Sequence, residues 1–275
     1  MTLGIREADR TSAIRSSAIL TPDWVQVGYE TWGEVPPLVL IHGAFSDQRT
    51  NWNQVREMLA GHVAGYAMSR RGRGETDKTV DHELDDEIAD AAALIRAIDE
   101  PVAVLGHSYG ALVALGAAAR EPSRVRKLVL YEPPSPGLFG AETLAPLDRL
   151  AEAGDWEGMT LHFFRDVLSV PASELAAAQG TQEWRDAVAD APASLVDLHR
   201  LARHRFDPEE FRTLEMPVLL QIGTESPPEL YATEALQWVL RNFRVGRLVG
   251  EAHEAMTTAP DLYARALLEF LLDAE

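Results

Sequence analysis

The chain has 275 residues, 46% of them hydrophobic, a formal net charge of −18 and no cysteine. The length suits one α/β domain with an insertion and can bury a core that needs no disulfide or metal. The charge argues against nucleic acid and anionic membranes as partners; the lack of cysteine excludes a thiol nucleophile or thiolate metal site and tolerates a reducing compartment.

Residues 1–10 lack the apolar stretch of a signal peptide, and no apolar run reaches the roughly 20 residues of a membrane span. The expectation is a cytoplasmic protein, monomer or homodimer, whose partner is a small molecule. Residues 1–20 are polar and mark no element. Residues 24–31 alternate like a strand, and residues 37–41 form a wholly apolar strand of the kind buried on both faces of a parallel sheet. His42-Gly43-Ala44-Phe45 follows directly, then a helical pattern over 51–60.

A strand over 63–68 ends in Ser69-Arg70-Arg71-Gly72-Arg73-Gly74. Such a turn could bind an anion but is expected to be structural. It is neither G-x-G-x-x-G nor a P-loop, so no nucleotide site is expected. The acidic run Asp81, Glu83, Asp85, Asp86, Glu87 and Asp90 reads as a solvated helix start, where carboxylates favour the dipole. The helix itself spans 84–98, with Leu84, Ile88, Ala91, Ala92, Ile95 and Ile98 at helical spacing.

Residues 102–105 form a short buried strand that runs into Gly106-His107-Ser108-Tyr109-Gly110, and residues 111–120 are rich in helix formers. The G-x-S-x-G spacing between strand and helix marks a nucleophile elbow. A serine hydroxyl is a weak nucleophile and must stand clear of its backbone to meet a base and a carbonyl. A strained turn exposes Ser108, and Gly106 and Gly110 fit beside it because they lack a Cβ.

A strand over 127–131 ends at Glu132-Pro133-Pro134. From 135 to about 215 the strands give way to helical patterns over 142–153, 156–168, 172–179, 182–189 and 193–203, read as a helical insertion. The core is therefore expected at 1–134 and 216–275. It resumes with a strand over 217–223, a helix over 230–241, a strand over 243–249 and a helix over 261–272. Strands alternating with helices imply a mostly parallel sheet covered on both faces, with sites at the carboxyl ends of its strands.

His253, just past the last strand, is the candidate base for Ser108. The acid that fixes its tautomer is either Glu132 or Glu225, each at a strand end. The N–H of Tyr109 and that of Ala44 (or Phe45) are the candidate oxyanion donors. His42 is expected to hold the oxyanion loop, and His62, His82, His162, His199 and His204 to lie on the surface or lid. Phe45, Trp156 and Phe164 are candidate pocket residues, with Tyr109, Phe139, Phe163 and Trp184 as further aromatic side chains near them. No metal site and no cofactor is expected.

Together these motifs resemble the α/β-hydrolase fold superfamily. His42-Gly43 is similar to its oxyanion motif, Arg70-Arg71-Gly72-Arg73-Gly74 to its basic turn, the pentapeptide around Ser108 to its nucleophile motif, and His253 with Pro260 to its histidine loop. The resemblance implies an α/β fold with a mostly parallel central sheet flanked by helices and a helical cap at 135–215. In most relatives an Asp stands where this chain has Ser226; some branches carry the acid after the sixth strand, which matches Glu132. A serine nucleophile argues against haloalkane dehalogenase and epoxide hydrolase chemistry. The expected activity is cleavage of a small apolar ester, lactone or thioester. The alternatives are a cyclase, lyase or perhydrolase on the same fold, or a small-molecule receptor.

Overall fold

The computed structural model describes residues 13–76, 82–135 and 137–273. Its strands are β1 (Arg15–Leu20), β2 (Gln26–Trp32), β3 (Pro37–Ile41), β4 (Ala64–Met68), β5 (Val102–His107), β6 (Val125–Tyr131), β7 (Val218–Gly223) and β8 (Phe243–Leu248). They form one sheet in the order β1-β2-β4-β3-β5-β6-β7-β8. The pairings of β1 with β2 and of β2 with β4 are antiparallel, and every later pairing is parallel.

Both faces are covered, which is why β3 is apolar throughout, β5 is apolar up to His107 at its end, and both are wholly buried. On one face lie α2 (Leu84–Ala97), α3 (Tyr109–Arg120) and α8 (Thr233–Val239), packing Ile95, Val113 and Leu236 onto Val104 and Leu130. On the other lie α1 (Arg56–Ala60) and α10 (Pro260–Leu272), packing Leu59 and Leu267 onto Leu40 and Leu105. A short α9 (Ala255–Thr258) leads into α10. The polar strand β1 has no apolar alternation to announce it: only Ile19 is partly buried, and the strand exists because the edge of β2 offers it a ladder. The expected helix over 51–60 is helical only from Arg56 onward.

Between β6 and β7 the chain forms α4 (Ala141–Glu152), α5 (Trp156–His162), α6 (Ala172–Ala178) and α7 (Gln182–Arg203). These inserted helices share an apolar cluster of their own that includes Leu147, Met159, Phe163, Trp184 and Leu198, and Phe45 from the sheet side joins it. The expected pair of helices over 182–203 is one helix with Pro192 inside it. A proline removes one backbone donor and crowds the carbonyl of the preceding turn, but the buried face around Ala191 and Leu198 carries the helix through. Helix α5 runs on into a wider π turn, Phe163–Val167.

The basic turn and the acidic run meet. Arg70 bonds Glu87 at 2.9 Å and Asp197 of α7 at 2.7 Å, with all three side chains wholly buried. Arg71 bonds Asp90 at 2.6 Å, and Arg73 bonds Asp197 at 2.8 Å and Asp190 at 3.0 Å. Glu87 and Asp90 are thus buried ion-pair partners, not part of a solvated helix start, while Glu83 and Asp85 are exposed; Asp81 lies outside the described residues. His82 is also buried rather than on the surface, 3.1 Å from Glu87 and 3.1 Å from Arg200. Arg70 and Arg73 knot the core to the inserted helices, while Arg71 pairs within the core with Asp90 and Asp23. Among the described residues no helix is long and apolar enough to cross a membrane.

Candidate active site

Ser108 stands between β5 and α3 at φ 53°, a left-handed conformation that costs an L-residue energy and throws its side chain out of the turn. The turn is tight enough to need glycine on both sides. A Cβ on Gly106 would lie 2.3 Å from the Gly110 carbonyl oxygen, and one on Gly110 would lie 2.2 Å from the Ile41 oxygen. The N–H of Ser108 is fixed by the Tyr131 carbonyl at 2.9 Å.

His253 reaches the site from the loop after β8, and Glu132 from the end of β6. His253 Nδ1 donates to Glu132 Oε2 at 2.5 Å, and Glu132 Oε1 accepts the N–H of Gly223 at 2.7 Å. Both side chains are buried, and Glu132 turns inward at φ 48°. Burial opposes the imidazolium, but the hydrogen bond and charge of Glu132 outweigh it and hold His253 above its ordinary pKa. With Nδ1 committed to the carboxylate, the Nε2 lone pair is the one left for a proton. Glu225 is exposed, bonds Thr224 and is not brought to His253.

The histidine loop is pinned from three sides. The Tyr131 hydroxyl donates to the Ala252 carbonyl and accepts the Ala255 N–H; the Tyr231 ring stacks on His253 at 5.4 Å. His107 Nε2 lies 3.1 Å from the His253 carbonyl oxygen, with His107 Nδ1 3.1 Å from Asn51 Oδ1. Burial keeps His107 far below its ordinary pKa and therefore neutral. His107, His253 and Glu254 offer metal-type donor atoms within 4.8 Å of one another, but the contacts just named already occupy His253 Nδ1 and both ring nitrogens of His107.

The loop after β3 lies against the elbow, where a Cβ on Gly43 would come 3.1 Å from Ser108 Cβ. His42 is buried and neutral: Nδ1 donates to the Gly43 carbonyl at 2.8 Å and Nε2 accepts the Arg70 N–H at 3.3 Å. The Phe45 N–H is taken by Ser194 Oγ at 2.6 Å. Among the described residues no protein acceptor takes the N–H of Ala44 or of Tyr109. The Tyr109 side chain does not line a pocket; it lies under Arg70, 4.2 Å from ring centre to guanidinium, and bonds Glu87.

A cavity of about 310 Å³ lies beside the centre, with Ala44, Phe45 and Glu254 in one part of its wall and Phe164, Leu175 and Trp184 of the insertion in the other. Trp156 is not in that wall; it packs, half-buried, against the apolar cluster of the insertion, in which Phe139 and Phe163 are buried.

A family model described as the alpha/beta hydrolase family matches residues 38–266. The chain belongs to this family. Among solved structures it is similar to an alpha/beta hydrolase from Sphaerobacter thermophilus, with TM-score 0.78 and 28% identity over 93% of this chain and 100% of that one. It is also similar to the enol-lactonase from Burkholderia xenovorans, with TM-score 0.76 and 17% identity over 94% and 100%, a likeness that bears on the fold alone. A curated relative, 2-hydroxy-6-oxo-6-(2'-aminophenyl)hexa-2,4-dienoic acid hydrolase of Metapseudomonas resinovorans, is 32% identical over 38% of each chain. Another, N-formylmaleamate deformylase of Pseudomonas putida, is 34% identical over 38% of this chain and 40% of that one. The chain thus matches 29% to 40% of the length of such curated relatives.

Within this alpha/beta hydrolase the sequence reading misses His107, Tyr131 and Ser194 as parts of the site's frame. Their partners lie 121 to 149 residues away, so no local spacing could signal them.

Proposed function

We propose that the protein is a serine hydrolase that cleaves a small ester, lactone or thioester through an acyl-enzyme on Ser108. The Glu132–His253 hydrogen bond at 2.5 Å, at the edge of the sheet that carries the elbow, is the observation that supports this most. Ser108 attacks the carbonyl while His253 Nε2 takes its proton, and Glu132 stabilises the imidazolium that forms. The N–H groups of Ala44 and Tyr109 hold the oxyanion of the tetrahedral intermediate. His253 returns the proton to the leaving oxygen or sulfur, then activates water to release the acid. The cavity bounded by Phe45 and Phe164 takes the substrate's apolar part, with the inserted helices as its cap. The cyclase, lyase, perhydrolase and receptor readings draw on no observation of their own.

The test is intact mass after treatment with a fluorophosphonate. Wild type should gain a single adduct and Ser108→Ala none, with ester turnover falling roughly 10⁴-fold or more in the variant. A folded wild type that takes no adduct overturns the reading.

A further inference from the structure

We propose that the cavity beside the catalytic centre selects substrates that carry an ammonium group, held between the aromatic faces of Phe164 and Trp184 and the carboxylates of Glu174 and Glu254. The proposal rests on the hydrolase reading for turnover, but not for binding.

Four observations converge on a cation. The cavity wall carries three carboxylates, those of Glu174, Glu183 and Glu254, and no lysine, arginine or histidine. Among the described residues neither the Glu174 nor the Glu254 side chain has an ion-pair or hydrogen-bond partner, although the chain's arginines pair freely elsewhere. Both are partly buried, and burial together with their neighbouring carboxylates holds both above the ordinary range, Glu254 at about 7. His253 draws both the other way but is neutral when it serves as base. Finally, three aromatic side chains stand in the wall: Phe164 lies 5.4 Å from Phe45 at a tilt of 59° and 6.3 Å from Trp184 at 46°, while Phe45 also stacks on Phe163. The faces of such rings attract ammonium, trimethylammonium included.

An entering ammonium relieves the unpaired carboxylates and meets the rings. A carboxylate on the substrate adds a like charge to the same wall. A neutral group of the same shape gains only apolar burial. Buried Asn51 stands in the wall as well, its amide nitrogen unpartnered and able to donate to a substrate carbonyl.

The experiment compares kcat/KM for acetylcholine, its neutral isostere 3,3-dimethylbutyl acetate, and an acetate ester of equal length ending in a carboxylate. The cationic ester should lead the neutral one on the order of tenfold, with the carboxylate ester slowest. Glu174→Gln should bring the cationic-to-neutral ratio close to one. Equal rates on the two esters in wild type, or a ratio untouched by Glu174→Gln, overturn the proposal. Calorimetric titration of the full chain with choline and with 3,3-dimethylbutan-1-ol separates binding from chemistry. Choline preference that disappears in Glu174→Gln sustains the proposal even where no ester is cleaved, and then only the hydrolase reading falls. Choline bound no better than the alcohol overturns the proposal whatever the turnover.

Discussion

The Ser194 hydroxyl, on α7 of the insertion, accepts the N–H of Phe45 at 2.6 Å and donates to Asp190 at 2.7 Å. Phe45 sits at φ 57° in the loop that carries Ala44, so an inserted helix holds a strained residue beside a candidate oxyanion donor. Arg73 also donates to Ser194 Oγ, at 3.1 Å, which ties the same hydroxyl to the core. Ser194→Ala leaves a buried N–H unpaired at a cost of about 1–3 kcal/mol and lets the loop relax. The expected outcome is a fall in kcat of about ten- to a hundredfold with KM little changed, less than the loss of a whole oxyanion donor. Steady-state kinetics on a p-nitrophenyl ester, beside a thermal melt, measure both. An unchanged kcat would mean that Ala44 is held without the insertion.

The acid is tested by two conservative variants. Glu132→Gln keeps the side chain's shape and removes its charge, and should lower kcat by roughly 10⁴-fold; Glu225→Gln, at an exposed side chain that bonds Thr224 and not the base, should stay within about twofold. The pH profile gives a second readout. His253 acts as base only when neutral, and its pKa is raised, so wild-type kcat/KM declines as pH falls through a value above 6.5. In Glu132→Gln burial is opposed only by the weaker pull of Glu254 and Glu174, and the acid limb of the profile moves to lower pH. If Glu225→Gln is the crippled variant, Glu132 is not the acid.

The sheet was legible because burial on both faces writes itself into the sequence as runs such as Leu38-Val39-Leu40-Ile41. The elbow was legible because its glycines are demanded by backbone contacts as close as 2.2 Å. Strand β1 was not, since an exposed edge strand is chosen by its neighbour's ladder and not by its own pattern. Nor was the choice between Glu132 and Glu225, which both stand at strand ends; the chain is separated only in space, where Glu132 turns inward and Glu225 faces water. The charge of Glu87 and Asp90 misled for a related reason. A carboxylate at a helix start looks the same whether water or an arginine from a distant turn solvates it.

The buried ion pairs make a stability prediction. Burial opposes the Glu87 charge, but Arg70 and His82 outweigh it and bring its pKa from 4.5 to about 2. A carboxylate lowered in the folded state contributes its stability above about 4.5 and loses it as pH falls toward 2. Glu87→Gln leaves Arg70 with one buried carboxylate fewer and should cost about 3–5 kcal/mol at neutral pH. Urea titrations at several pH values measure this: the gap between wild type and variant should narrow across that acid window. A gap that stays constant down to pH 2 would show that Glu87 is not charged in the fold.

Gly110 and Gly72 make a matched pair for the elbow's geometry. A Cβ on Gly110 would lie 2.2 Å from the Ile41 oxygen and 2.4 Å from the His42 oxygen, both backbone atoms at the end of β3. Neither can yield as a side-chain tip would, so Gly110→Ala must push α3 away from β3, and with it Ser108 from the loop that carries Ala44. Gly72 has φ 82° but open space where its Cβ would go. Gly72→Ala therefore costs only the left-handed strain of about 1–2 kcal/mol and should leave kcat near wild type. Gly110→Ala should lose activity by about a hundredfold or more, since a shift on the order of 1 Å between nucleophile and oxyanion donor is that costly. Kinetics and melting curves of the two variants separate the effects. Equal losses in both would mean that backbone strain alone, and not the contact between α3 and β3, sets the elbow.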